Sequence, residues 1–311
     1  MAKKPKILLI PNVPNWAFDN NAKQLKKRLE KFYDFDIKYH DYFKENKKVN
    51  LKKYDCIFLF FWPALDLILK HLTPEEAQDK LITGVFSYNS WAGRKRYAQS
   101  QFKRCRGLII NNKKIASLFK SSNYETFFIP KLVDDDLFYY KKTKSPASDK
   151  LVVGWVGNPN HAGRNYKGYW NILLPVCQKN NSWIELQTAF QKNNFIAHDK
   201  MNDFYNSIDV LVCVSRGETG PNTVLEAGLC KRAVVSTKVG VVAEIIKNNY
   251  SGLIIKRNKK SLEKALKKLY DNRKLIDAMG DNLRRKIIKE RIFKKNIKIY
   301  KKIFNKITQV K

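Results

Sequence analysis

Negative charge is scarce in this chain. Only 28 Asp and Glu stand against 61 Lys and Arg, a net charge of +33 over 311 residues. A surface of that sign favours anionic partners: a lipid surface, a nucleic acid or an acidic polymer. Cysteine is sparse too. Cys56, Cys105, Cys177, Cys213 and Cys230 are odd in number, scattered and free of any C-x-x-C pair. That excludes a disulfide framework and leaves buried thiols in a reducing compartment. The four histidines show no metal-ligand spacing. Long apolar runs are missing as well. The longest, Cys56 to Leu65, contains Pro63 and stops at Asp66, too short to span a bilayer. The apolar stretch ending at Ile10 is too short for a signal-peptide core, and Pro11 closes it. The expected location is the cytoplasm, with peripheral attachment to the inner membrane face open to it.

What is present suits packed cores. Hydrophobic residues make up 44%, with 18 Phe and 15 Tyr, and the length accommodates two domains. The basic excess is uneven. Residues 151–255 carry 10 Lys/Arg against 7 Asp/Glu, whereas 1–150 carry 30 against 16 and 256–311 carry 21 against 5. Apolar runs at Lys6–Ile10, Cys56–Phe61, Leu81–Ser87, Gly107–Ile110 and Thr126–Ile129 read as buried strands. Helical patterns lie between them: Ala22, Leu25, Leu29 and Phe32 with lysines on the outer face, then stretches near Leu65–Leu72, Arg94–Arg104 and Lys113–Phe119. A Lys/Ser/Pro segment, Lys141–Lys150, reads as a linker. The alternation restarts at Leu151, with helices near Tyr169–Lys179 and Met201–Ser207 and strands at Trp183–Thr188 and Asp209–Val214. The expectation is two parallel α/β lobes facing a central cleft: 1–140, then the linker 141–150, then 151–290. An apolar stripe of Ile292, Phe293, Ile299, Ile303, Phe304 and Ile307 makes 291–311 a helix.

The chemistry concentrates in Ser215–Leu253, which reads as strand end, Gly/Pro turn, helix, strand, helix. Gly217, Gly220 and Pro221 permit close backbone approach and a pre-set helix start. Amides around Asn222, Thr223 and Val224 then form an anion site suited to a diphosphate. Glu218 lies in the turn. Glu226, one helical turn in, can accept hydrogen bonds from both hydroxyls of a ribose. Asp34-Phe35-Asp36 has a D-x-D form but reads as a surface turn, and Asp134-Asp135-Asp136 as a capped turn. His161 is a candidate phosphate contact.

These residues resemble glycosyltransferase family 4, the retaining GT-B glycosyl transferases group 1. The matching features are Ser215, Glu218, the Gly220-Pro221 turn, Leu225-Glu226-Ala227, Val234-Val235, Val239-Gly240, Glu244-Ile245 and Gly252-Leu253. Upstream, HDKMNDFYNSID (198–209), IPKLVDDDLF (129–138) and Gly154–Gly157 with Lys167-Gly168 fit the same pattern. The resemblance implies a GT-B fold, its last helix crossing back to the N-terminal lobe. It also implies a nucleotide-diphosphate sugar, UDP- or GDP-linked, as co-substrate, with no other cofactor and no metal. The acceptor would be a glycan or lipid-linked molecule; the net positive charge of the two end segments, independently of the resemblance, would make an anionic membrane surface a further partner. No specific nucleic acid is expected. Glu226 would hold the ribose, Glu218 the donor sugar, and Lys167 the leaving diphosphate, with Gly157 and Asn158 lining the donor site.

The chain departs from the family where an arginine usually follows the first donor-lobe glycine. Asn158 stands there, and Arg164 is the candidate replacement. On the acceptor side, Asn15 and Trp16 lie where a Gly pair is usual, and Ser87 or Asn89 where a histidine is usual. Alternative readings are another GT-B enzyme (a nucleotide-sugar epimerase or phosphorylase), a non-catalytic lobe pair, or a basic nucleic-acid-binding protein.

Overall fold

The structure, a computed structural model, describes residues 3–46, 49–86, 93–119, 124–142, 149–190, 195–218 and 220–309. It divides into two units: Met1–Lys131 with Lys295–Lys311, and Leu132–Lys294. The boundary thus falls before residue 140. The connector 132–140 belongs to the second unit, where Val133 bridges Ile292. Asn202 and Asn206 fix that connector by accepting the backbone N–H groups of Tyr139 and Lys141.

The first unit is built on a six-stranded parallel sheet, in the order β2-β1-β3-β4-β5-β6. Its strands are β1 (Lys6–Ile10), β2 (Asp34–Ile37), β3 (Cys56–Leu59), β4 (Leu81–Val85), β5 (Gly107–Ile110) and β6 (Glu125–Phe128). Between them run α1 (Ala17–Leu29), α2 (His40–Glu45), α3 (Leu65–Leu69), α4 (Pro74–Lys80), α5 (Lys95–Phe102) and α6 (Lys113–Ser117). The central strands are buried throughout and apolar apart from Thr83, whose hydroxyl donates to the Leu59 carbonyl, as a sheet covered on both faces requires. Asp34-Phe35-Asp36 corrects the reading as a surface turn: it is part of edge strand β2, in register with β1. Alternation with period two turns Phe35 inward, 4% exposed. It leaves Asp34 and Asp36 outside, each 3.4 Å from the Lys6 ammonium.

The second unit carries a five-stranded parallel sheet, in the order β11-β10-β9-β7-β8. The strands are β7 (Leu151–Gly157), β8 (Ile184–Phe190), β9 (Val210–Cys213), β10 (Ala233–Thr237) and β11 (Leu253–Ile255). Its helices are α7 (Leu174–Lys179), α8 (Met201–Ser207), α9 (Asn222–Leu229), α10 (Val242–Ile245), α11 (Lys259–Asp271) and α12 (Lys274–Glu290). A π turn, Tyr169–Leu173, precedes α7, where Pro175 lacks the N–H that a regular helix start would use further in. The last helix, α13 (Phe293–Thr308), starts in the second unit, and its residues from Lys295 onward belong to the first. Phe304 there meets the rings of Tyr33 and Phe35 at 5.7 and 6.1 Å, and Tyr300, Ile303 and Ile307 are buried beside it.

Candidate functional site

The second sheet has one point where the strand order reverses. From β7 the chain goes to β8 on one side, then returns to place β9 on the other. Ligands of open α/β sheets bind outside the carboxyl ends of the strands at such a point. Here the loops leaving β7 and β9 are 158–168 and 214–221, the segments that the sequence singles out.

The two loops lock together. The Lys167 ammonium pairs with Glu218, each side chain about one-fifth exposed, and the Ser215 hydroxyl donates to the same carboxylate oxygen at 2.9 Å. Gly168 makes this approach feasible. Its φ of +75° is left-handed, and a Cβ there would lie 2.5 Å from the Val214 carbonyl oxygen. Asn158, in the place of the usual arginine, turns its side-chain oxygen back on the Asn160 N–H at 3.0 Å, so it shapes the loop from within. Gly157 has a φ of +143°. Arg164 is exposed, its guanidinium 5.5 Å from the centre of the Trp170 ring, which the Trp170 N–H to Asn160 bond anchors. His161 is exposed in the same loop.

Helix α9 starts at Asn222 behind Pro221, which as the N-cap residue has no side chain able to cap its first amides. Among the described residues, no hydrogen bond takes the N–H groups of Asn222 and Thr223 to a side-chain acceptor, the condition for holding an anion. Val224 is buried and donates its N–H to the Pro221 carbonyl. Glu226 lies on the inner side of α9, 8% exposed. One carboxylate oxygen accepts from the Tyr205 hydroxyl at 2.6 Å, and the other lies 3.9 Å from His198 Nε2. Burial first, then the Glu226 carboxylate, pushes the Tyr205 hydroxyl far above its ordinary pKa, so it remains a donor. Phe138 completes the wall, its ring 5.4 Å from His198 and 5.8 Å from Tyr205. The 198–209 segment fits the family pattern in sequence, yet that pattern assigns Tyr205 and His198 no role. The sequence shows only a large aromatic with a polar tip on the helix preceding β9; a buried hydroxyl seeks a partner, but local pattern does not say which.

In the first unit, Asn15 and Trp16 lie in the loop between β1 and α1. Asn15 adopts φ +60° and donates its N–H to Asp19 at 2.7 Å. Asp19, fully buried, also accepts the Tyr39 hydroxyl at 2.9 Å and pairs with Lys23 at 2.8 Å. Burial, then that carboxylate, raises the Tyr39 pKa to about 12. Trp16 stands half exposed on this fixed loop. Ser87 and Asn89 lie outside the described residues.

Comparison with known proteins bears on the family and the fold. Residues 184–286 match the family described as Glycosyl transferases group 1. An uncharacterized glycosyltransferase of Methanocaldococcus jannaschii is 31% identical over 121 residues, 39% of this chain and 32% of that protein. A second from the same organism is 29% identical over 202 residues, 63% of this chain and 48% of the relative. The chain thus spans less than half of the length of these relatives, 32% of one and 48% of the other. Among solved structures, sucrose-phosphate synthase from Thermosynechococcus elongatus superposes with a TM-score of 0.75 at 12% identity, over 99% of this chain and all of that one. Anabaena HepE in complex with UDP and glucose superposes with a TM-score of 0.72 at 12% identity, over 98% of this chain and all of that one. The fold is that of the GT-B glycosyltransferases.

Proposed function

Because the second unit carries a glycosyl transferases group 1 segment, we propose that the chain is a retaining glycosyltransferase. In this reading it moves a sugar from a nucleotide-diphosphate donor, UDP- or GDP-linked, to a glycan or lipid-linked acceptor. The observation that carries the reading is the meeting of the Lys167 loop, the Glu218 turn and the uncapped start of α9 at the switch point of the second sheet. Each part has a task. Glu226, held by Tyr205, binds the ribose. The α9 amides and Lys167 take up the charge that develops on the leaving diphosphate, without needing a metal ion. Glu218 accepts from hydroxyls of the donor sugar, and the first unit offers Asn15 and Trp16 to the acceptor. The charge distribution favours this over nucleic-acid binding, since 151–255 carry almost balanced charge. A thermal-shift screen of UDP-, GDP-, ADP- and dTDP-sugars tests it. One donor class is expected to raise the melting temperature, and a flat response to all four would end the proposal.

The membrane part of the reading rests on the first unit. Lys26, Lys31, Lys298 and Lys302 are exposed on α1, the residues just after it and α13. The Tyr33 hydroxyl ties these two regions together by donating to the Lys301 carbonyl at 3.1 Å. The exposed Phe32 ring lies between the ammonium groups of Lys31 at 5.0 Å and Lys301 at 3.4 Å. At about 1 kcal/mol per well-placed lysine, anionic vesicles should capture the chain at low salt and release it as salt rises. Equal partition onto neutral and anionic vesicles at low salt would contradict this. Among the described residues no helix is long and apolar enough to cross a membrane.

A further inference from the structure

The loop that delivers Lys167 is tied down from a third direction. Arg257 lies between β11 and α11, remote in sequence from both site loops. Its Nε donates to the Val214 carbonyl at 3.0 Å, at the end of β9. Its Nη2 donates to the Asn165 carbonyl and, at 3.4 Å, to the Tyr166 carbonyl, the residues just before Lys167. The Arg216 N–H donates to the same Tyr166 oxygen at 2.9 Å. One planar fork therefore spans the Lys167 loop and the strand that leads to Ser215 and Glu218, a geometry that a lysine's compact ammonium does not reproduce. The acceptors are backbone carbonyls, so Nε and Nη2 serve loop placement.

We infer that Arg257 is a positioning residue for the donor site, fixing the Lys167 loop against the end of β9. The inference rests on the reading of Lys167 given above. Lys167 must reach a leaving group from a loop that includes residues at φ +56° (Ala162) and +100° (Gly163), and whose own turn hydrogen bonds stop at Tyr166 N–H to the Gly163 carbonyl. With the Arg257 fork removed, the Arg216 amide, the packing of Gly168 on Val214 and the Lys167–Glu218 pair still join the two site loops, but the tie from the β11–α11 side is gone. Burial, and then the neighbouring Arg216, pull the Arg257 guanidinium below its ordinary pKa. Two guanidinium groups thus share this corner, which suits a site that receives an anion.

The test uses the full chain and the variants R257A, R257K, K167A and R257A/K167A, with UDP and GDP as probes. Amide hydrogen exchange over 163–168 should rise about tenfold in R257A and partly recover in R257K, with β7 and α9 unchanged. Affinity for the nucleotide that binds wild type should fall about tenfold in R257A, yet change less than about twofold when the same substitution is added to K167A. Unchanged exchange over 163–168 would overturn the inference. So would equal affinity losses in both backgrounds, because a general loss of structure adds to K167A rather than acting through it. If R257A does not fold, R257Q takes its place in both measurements. Wild type that binds neither nucleotide would strike the donor reading instead, and hydrogen exchange alone would then decide whether Arg257 holds the loop.

Discussion

Glu226→Ala is expected to lose about 100-fold in affinity for the nucleotide that stabilises the wild type, by titration calorimetry. Hydrogen bonds to a charged group contribute about 1.5–3 kcal/mol each. Two ribose hydroxyls on one carboxylate therefore account for about 3 kcal/mol, or roughly two decades. The Tyr205 hydroxyl, 2.6 Å from that carboxylate, makes the assignment specific. It occupies one oxygen and fixes the orientation of the other before any ligand arrives. The Ala variant also strands a fully buried hydroxyl, at about 1–3 kcal/mol of fold stability. Glu226→Gln separates the two effects, since the amide oxygen can still accept from Tyr205 while the charge is gone. Wild-type affinity in the Ala variant would remove Glu226 from the ribose site.

Lys167→Ala should lower turnover by about 10²–10³ while nucleotide affinity falls only about tenfold. A cation aimed at charge that appears only as the glycosidic bond breaks acts chiefly on the transition state. In the free protein Lys167 is paired with Glu218, with the Ser215 hydroxyl on the same oxygen. The substitution therefore also leaves a half-buried carboxylate without its cation, and donor-sugar selectivity should loosen alongside the rate. Arg164→Ala is the companion measurement. Its guanidinium rests on the Trp170 ring, a contact that holds it within the same loop. If Arg164 stands in for the arginine absent at Asn158, its removal should also cost turnover. Full activity in Arg164→Ala beside a dead Lys167→Ala would leave Lys167 as the cation and end the replacement idea.

The alternation of strands and helices was legible because buried parallel strands are short, wholly apolar runs, as in Gly107–Ile110 and Val210–Cys213. The strand Asp34–Ile37 was hidden by its composition, since an edge strand needs only alternate apolar residues and two aspartates read as a turn. The turn at Glu218 and the helix carrying Glu226 were legible because glycine, proline and paired carboxylates cluster within a dozen residues. Tyr205 and Arg257 were not. Each acts on the site through a contact distant in sequence, 21 residues for Tyr205 to Glu226 and 91 for Arg257 to Tyr166. Such contacts come from the strand order rather than from local pattern.

The division of α13 between units bears on how the chain comes into being. Synthesis delivers every residue of the second unit, through Lys294, before the first unit has received the helix that contains Tyr300, Ile303, Phe304 and Ile307. The unit that begins first is thus the one completed last, with Tyr33 and Phe35 awaiting Phe304 in the meantime. Vectorial folding would here run against chain order. A fragment ending at residue 131 would present that aromatic seam to solvent. An autonomous first unit would have to be made as a circular permutant, with 295–309 joined ahead of Lys3.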